Sequence, residues 1–490
     1  MTLALVGVYL AALVAIGALS GRFARGTGED FFLASRTIGP VVLLASLVGT
    51  HMTAFSILGA SGESYHRGIG VFGLMASSSA LVVPALFLFI GTRLWALGKR
   101  HGFLTQVELV RARWGSEPLA ISLLVLLVVL LVPYLLIGIK GAGLTLNEAS
   151  GGSIPVAAGS FLVGAVVVAY VAWGGMRGTA WVNTFQTAIF VTLGAVAFWV
   201  VVRGGGGLSA LMAKVAAEEP KLLVQGDAIR PLEMLTYLTI PISAATFPHL
   251  VTHWLTAKSA RAFRFSVVAY PFCVALVWLP SVVLGVIGKV EVPGLAGPAS
   301  SSVVVRLIER FAPAGLEALL TAGLFAAVMA SLDSQVLALG NLFTRDVVGR
   351  YGFGGRLSER GQVLSGRLFV AGIVVVACLV SLVFERSLFK LGVICFSGFT
   401  GLFPLLVAAL FWRRATAAGA LASVLVTAVS WAFFALRSFQ NPAYTVGDTG
   451  ILPAAVILLL SSLALWAVSL LTRPPGEERL AGFFGRGAEA

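Results

Sequence analysis

Three observations predict an all-α polytopic membrane protein. The 490 residues are 58% hydrophobic and only 11% charged, with a mean hydropathy of +0.97. A soluble chain carries about 25% charged residues. The apolar residues also gather in blocks of about 20, the length that crosses roughly 30 Å of hydrocarbon as a helix. Finally, two blocks are interrupted at mid-length by Gly, Pro and hydroxyl residues, which suits a protein that binds something within the bilayer.

Taken in order, thirteen spans are expected near 3–20, 40–60, 70–97, 118–138, 154–173, 181–202, 232–254, 267–288, 315–342, 366–384, 390–412, 417–436 and 451–472. They are numbered 1 to 13 below. Span 1 differs from a signal peptide because its basic residues, Arg22 and Arg25, follow the apolar block instead of preceding it. That order puts the N-terminus outside and the C-terminus in the cytoplasm. Of the 34 Lys and Arg, 22 then fall on the cytoplasmic side, as the positive-inside rule requires. Six of the other 12 (Lys214, Lys221, Arg230, Lys289, Arg306 and Arg310) lie in the two longest external loops, where charge constrains topology weakly. The net charge of +13 therefore reads as topology and not as nucleic-acid binding. Short helices are expected in both loops, at "LSALMAKVAAEEPKLL" and at "SSVVVRLIERFAP", the latter ended by Pro313. Cys273, Cys378 and Cys395 lack metal-ligand spacing and read as small packing residues.

The interrupted blocks are spans 2 and 7. Span 2 contains "SLVGTHMTAFSILGASG", with Gly49, Thr50, His51 and Thr53 at its centre. Span 7 contains "IPISAATFPHLVTH", where Pro241 and Pro248 each remove a backbone donor. The two lie five spans apart. If spans 2–6 and 7–11 are repeats, each opens with its broken helix, and an odd length of five inverts the second repeat. On span 9, Ala327, Ala330, Ser331 and Ser334 fall on one helical face. That face permits close packing or, set against unwound carbonyls of span 2, an oxygen cage for a small cation. Span 9 also holds Asp333, whose nearest basic residue along the chain, Arg345, is ~18 Å away on a helix. A mid-bilayer carboxylate costs several kcal/mol unless it is compensated.

At these residues the chain resembles the sodium:solute symporter family. "FAAVMASLDSQVLALGNLFTRD" (325–346) is similar to that family's most typical segment, and "SILGASGESYHRGIG", "GGMRGTAWVNTFQT" and "FPHLVTHWLTAKS" match in order. The resemblance spans roughly 40–412. It implies a leucine-transporter-type core of five plus five inverted helices, alternating access, and sodium as the coupling ion for solute uptake. The chain then divides into 1–39 (span 1 and its loop), 40–202 (first repeat), 203–231 (external loop), 232–412 (second repeat), 413–472 (two peripheral spans) and 473–490 (cytoplasmic tail). Carried onto this sequence, the family's sodium site falls at Gly49, Met52, Ala327, Ala330 and Ser331. The family usually has a hydroxyl where this chain has Ala330. Several members have a second cation site with an Asp in a Trp-x-Asp motif. Here that motif reads "WVN", with Asn183, while the polar-Ser pair of span 9 reads Asp333-Ser334. The carboxylate has moved across the site, as a cation ligand, a proton carrier or a structural group.

For the solute, the motifs look closest to the pantothenate and monocarboxylate branches. Where the sugar-transporting branch has polar groups, this chain has Met75, Phe247 and His249, too few partners for a sugar. An organic carboxylate suits Thr50, His51, Thr53, Ser56 and His249 as donors, together with the N–H groups of unwound helix ends. Ser397 and Thr400, beside Gly398 and Gly401, suggest a gate in span 11. His253, near Lys258 at the end of its span, reads as interfacial, and His66 and His101 as loop residues. No nucleophile, acid–base pair or metal cluster of an enzyme is present in the sequence pattern. Two other readings stay open. One is a proton-coupled transporter of the same fold. The other is a transporter-like sensor, which the short tail disfavours because no output domain follows.

Overall fold

A computed structural model describes residues 2–21, 33–224, 226–313, 315–352, 359–383, 387–441 and 444–484. Each expected span coincides with an apolar helix or helix pair. Among the described residues, ten are helical stretches long enough to cross a bilayer, two are pairs bent at a break, and span 5 is the shorter helix Val156–Ala172. Arg22, Arg25, Arg356 and Arg486, used above for orientation, lie outside the described residues.

Both predicted breaks are present. Span 2 is Pro40–His51 followed by Phe55–Arg67 at 56°, and span 7 is Pro231–Ala245 followed by Pro248–Leu255 at 53°. In span 2 the ladder ends where Met52 N donates to Val48 O (2.7 Å). It restarts with Ser56 N on Thr53 O (2.9 Å), while Thr53 Oγ1 accepts from Phe55 N (3.0 Å). In span 7, Pro248 has no N–H to extend the preceding turn and instead starts a new helix. Thr246 Oγ1 anchors the gap by donating to Phe399 O of span 11 (2.7 Å).

Span 9 departs from the single helix expected. Leu316–Met329 stops, Ala330 and Ser331 form a turn, and Leu332–Leu342 resumes. Ala330 N closes the first half on Ala326 O (3.1 Å), and the next bond of the ladder is Gln335 N to Ser331 O (3.1 Å). The Asp333 carboxylate takes its own following amide, Ser334 N, at 2.6 Å. A side chain thus replaces a backbone acceptor at the break, as Asp does at helix starts.

Two glycines let the helices meet. A Cβ at Gly49 would sit 2.6 Å from Thr187 Oγ1 and 3.2 Å from Asn183 O, so spans 2 and 6 approach only because residue 49 has none. Spans 5 and 6 join at Gly175, whose φ of 51° and ψ of −154° lie in a region kept for glycine. Of the expected loop helices, one is Leu208–Glu218 and the other Val303–Phe311, the chain turning extended at Ala312 before Pro313. Where span 9 leaves the bundle, Asp346 is buried and fastens it to the helix Gln106–Trp114. Arg111 Nη1 donates to Asp346 Oδ1 (3.0 Å) and Thr105 Oγ1 to Asp346 Oδ2 (2.7 Å). All three cysteines are free, with Cys378 and Cys395 buried and Cys273 half-buried.

Candidate ion and solute site

The breaks of spans 2 and 9 converge with the second half of span 7 and with span 6 on one buried polar cluster. Asn183 takes the amide orientation in which every atom meets a complementary partner. Its Nδ2 then donates to Asp333 Oδ2 (3.0 Å), Asp333 Oδ1 (3.1 Å) and Ala330 O (2.8 Å), while its Oδ1 accepts from Thr50 Oγ1 and Ser334 Oγ, both at 2.9 Å. His253 Nε2 lies 3.0 Å from both of those hydroxyls. All six residues are buried. Among the described residues, no Lys or Arg pairs with Asp333.

His253 corrects the expectation for it. The bend tips Pro248–Leu255 into the bundle, so His253 is only 1% exposed and no interfacial residue. Thr50 faces span 6, and its hydroxyl is engaged in this cluster. Thr53 is likewise engaged in capping Phe55 N.

Beside the cluster two helices end. The last carbonyls of a helix lack intrahelical donors, which leaves those of the Pro40–His51 and Leu316–Met329 ends unspent, with Gly49 and Ala327 in these last turns. Ser331 Oγ is buried without a hydrogen-bond partner, whereas buried polar atoms are normally bonded. Ala330 and Met52 are wholly buried alongside. Two negative helix ends and one uncommitted hydroxyl present oxygen atoms only, the donor set that a small hard cation takes.

At the breaks of spans 2 and 7, His51, Ser56 and Phe247 line a cavity of about 20 Å³, together with Ser79, Trp278 and Phe396. Ser56 Oγ is buried and unpartnered. His51 Nδ1 is hydrogen-bonded to the Tyr270 hydroxyl. Met75 is buried outside this lining, and Ser79, one turn on, takes its place. His249 stacks on Phe247 (5.2 Å, 15°) and meets Tyr134 edge-on (5.2 Å), and neither its ring nitrogens nor the Tyr134 hydroxyl have a partner. The pair expected to gate span 11 is divided. Thr400 Oγ1 donates to Thr239 O of span 7 (3.0 Å), while Ser397 lines a separate, larger cavity.

Residues 31–427 match the model of the sodium:solute symporter family. The chain belongs to that family. The symporter is 25% identical to the osmoregulated proline transporter OpuE of Bacillus subtilis, over 75% of this chain and 73% of that one. It is 26% identical to the sodium/pantothenate symporter of Escherichia coli, over 75% of each. Among solved structures, that of a Na+-coupled sialic acid symporter superposes with a TM-score of 0.79 at 16% identity, covering 96% of this chain and 98% of that one. The fold is thus the leucine-transporter type expected, in a multi-pass membrane protein. The symporter's activity is sodium-coupled solute symport, with sodium as the coupling ion and no enzymatic reaction.

Sequence reasoning missed three of the symporter's buried polar groups. His253 stands four residues after His249, on the same helical face, and that spacing was the available signal. Gln335 follows the Asp333-Ser334 pair and is wholly buried with both amide atoms unpartnered. Tyr134 sits in the otherwise aliphatic span 4, beside Pro133.

Proposed function

We propose that the symporter binds its coupling sodium between the helix ends at Met52 and Ala330, and carries an organic carboxylate into the cell. Carbonyl oxygens of Gly49, Met52 and Ala327 and the Ser331 hydroxyl would hold the ion, with Ala330 contributing only its backbone. The observation that carries this reading is Ser331 Oγ, buried and unpartnered beside two helix C-termini. The solute would occupy the cavity at the breaks, where His51 and Ser56 supply donors against the apolar walls of Phe247 and Phe396, with His249 stacked on Phe247 and reached as the helices part. At about 20 Å³ that cavity is closed around no solute, so the helices must part to admit one. Proline, pantothenate and sialic acid, named for the relatives, all bear a carboxylate, which supports this class. The orientation keeps the N-terminus outside, on the balance of Lys and Arg.

Asn183, Asp333 and Ser334 form a second cation or proton site in the same reading. Asp333 is enclosed with no Lys or Arg among the described residues to neutralise it, so a bound cation or a proton would.

Uptake by proteoliposomes tests the whole reading. With an inward sodium gradient, competition among lactate, pyruvate, acetate and pantothenate should find at least one inhibitor and transported solute. Hexoses and neutral amino acids, proline among them, competing better than every acid would overturn the carboxylate class.

A further inference from the structure

Two cavities of solute size open where spans 2 and 11 approach one end of the bundle. One, of about 350 Å³, lies between spans 7, 11, 12 and 13. The other, of about 320 Å³, lies between the Phe55–Arg67 half of span 2, the 297–301 turn and the start of span 11. Both exceed the ~300 Å³ at which small-molecule sites begin. Phe389 and Lys390 line both. Tyr237 lines the first and also the small cavity at the breaks. Phe389 stacks between Phe55 (5.5 Å, 10°) and Tyr237 (6.3 Å, 14°). Three aromatic rings therefore wall the large cavities off from the central one.

The charges around this wall are unequally committed. Arg67 spends its guanidinium on Glu233 (2.7 and 2.8 Å) and Glu63 (3.1 Å). Arg230 is hydrogen-bonded to the Asp448 carbonyl. The ammonium of Lys390 makes no hydrogen bond among the described residues. Its nearest carboxylate oxygen, Glu63 Oε1 at 3.6 Å, is the one Arg67 already holds. The Tyr237 hydroxyl is buried at the wall without a partner. A cation whose ion pair, with Glu63 at 3.6 Å, is shared with Arg67 thus stands over aromatic and aliphatic walls, the complement of a small amphipathic anion.

We propose that these cavities form a vestibule that binds an organic carboxylate at Lys390 before it passes the Phe55–Phe389–Tyr237 wall. The solute class rests on the reading above, while the site, its anchor and its place in the path are additional. Lys390 and Phe389 share the first turn of Leu388–Gly401, which Ser387 caps by accepting from Lys390 N (3.3 Å). A carboxylate drawn to the ammonium therefore acts on the same turn that carries the central ring of the wall.

The test reads charge preference in the vestibule without relying on transport. Ser438, which lines the larger cavity, is replaced by Cys in a chain whose Cys273, Cys378 and Cys395 are Ala, and the protein is reconstituted in nanodiscs. Its labelling rates with an anionic and a cationic methanethiosulfonate reagent are compared, each relative to a free thiol. The anionic reagent should be favoured. Lys390→Met should lower that preference about tenfold, and Lys390→Arg should retain it. Millimolar lactate should slow the labelling, and lactamide, its neutral isostere, should not. A preference unchanged in Lys390→Met, or lactamide protecting as well as lactate, would overturn the vestibule. Uptake decides the other reading separately. If no acid is transported while labelling still follows the charge at position 390, the solute class fails and the anion vestibule stands.

Discussion

Asn183 donates to Asp333 across the contact between spans 6 and 9, its amide nitrogen 3.0 Å from one carboxylate oxygen and 3.1 Å from the other. The same amide takes hydroxyl protons from Thr50 and Ser334 at 2.9 Å. One side chain thus joins span 2 to span 9, and it does so beside the carboxylate that no Lys or Arg among the described residues neutralises. Asp333→Asn therefore separates the ways of balancing that charge. With a second sodium, uptake by the parent protein has a Hill coefficient above one, which the variant reduces to one. With a proton, uptake depends on a pH gradient, and the variant abolishes that dependence. Unaltered cation dependence in Asp333→Asn would make the carboxylate structural.

Position should matter less than charge at this contact. Asp333→Ser removes the carboxylate, and adding Asn183→Asp returns it from the opposite helix at hydrogen-bond distance. The double variant is expected to recover more uptake than Asp333→Ser alone. Equal activities would show that the site does not need the charge on either helix.

His253 ties the second half of span 7 to Thr50 of span 2 and Ser334 of span 9, each at 3.0 Å. His253→Ala leaves both hydroxyls with one partner fewer, while Asn183 still holds each, at about 0.5–1.5 kcal/mol for each hydrogen bond lost. The detergent-solubilised variant should melt at lower temperature and transport more slowly. His253→Gln, which can place an amide near the same hydroxyls, should fall between. A melting temperature unchanged in His253→Ala would show that the contact contributes nothing.

The buried ion pair at the foot of span 9 predicts a larger effect. Arg111→Met leaves Asp346 enclosed without its cation, and breaking such a pair costs about 3–5 kcal/mol. Thermal stability should drop well below that of Arg111→Lys, which retains a charge. Matching melting curves for the two variants would contradict this.

The fold was legible because its signals are additive along the chain. Block length gives the spans, and Pro241, Pro248 and Gly49 mark the breaks that the structure bends by 53° and 56°. The turn at Ala330–Ser331 was hidden because nothing in "MASLDS" forbids a helix. The interruption arises when the Asp333 side chain captures Ser334 N, a local competition that residue periodicity does not report. His253 was misplaced because distance along the chain stood in for depth. A bent eight-residue half-helix turns inward a residue that a straight span would leave at the surface. Asn183 and Asp333 could be paired only through the resemblance, since they are far apart in sequence and neither helix specifies its neighbour. Ser397 and Thr400, three residues apart, face different surroundings, because Thr400 is drawn to the open carbonyl of Thr239 in broken span 7.

The sodium dependence of uptake in Ser331→Ala reads the ion site at the residue on which it rests. Its hydroxyl is buried and otherwise uncommitted, and Ala330 offers none in its place. Losing one oxygen ligand to a charged species costs about 1.5–3 kcal/mol. The sodium concentration for half-maximal uptake should therefore rise tenfold or more, and Ala330→Ser should lower it. A Ser331→Ala protein with the parent's sodium dependence would contradict the account.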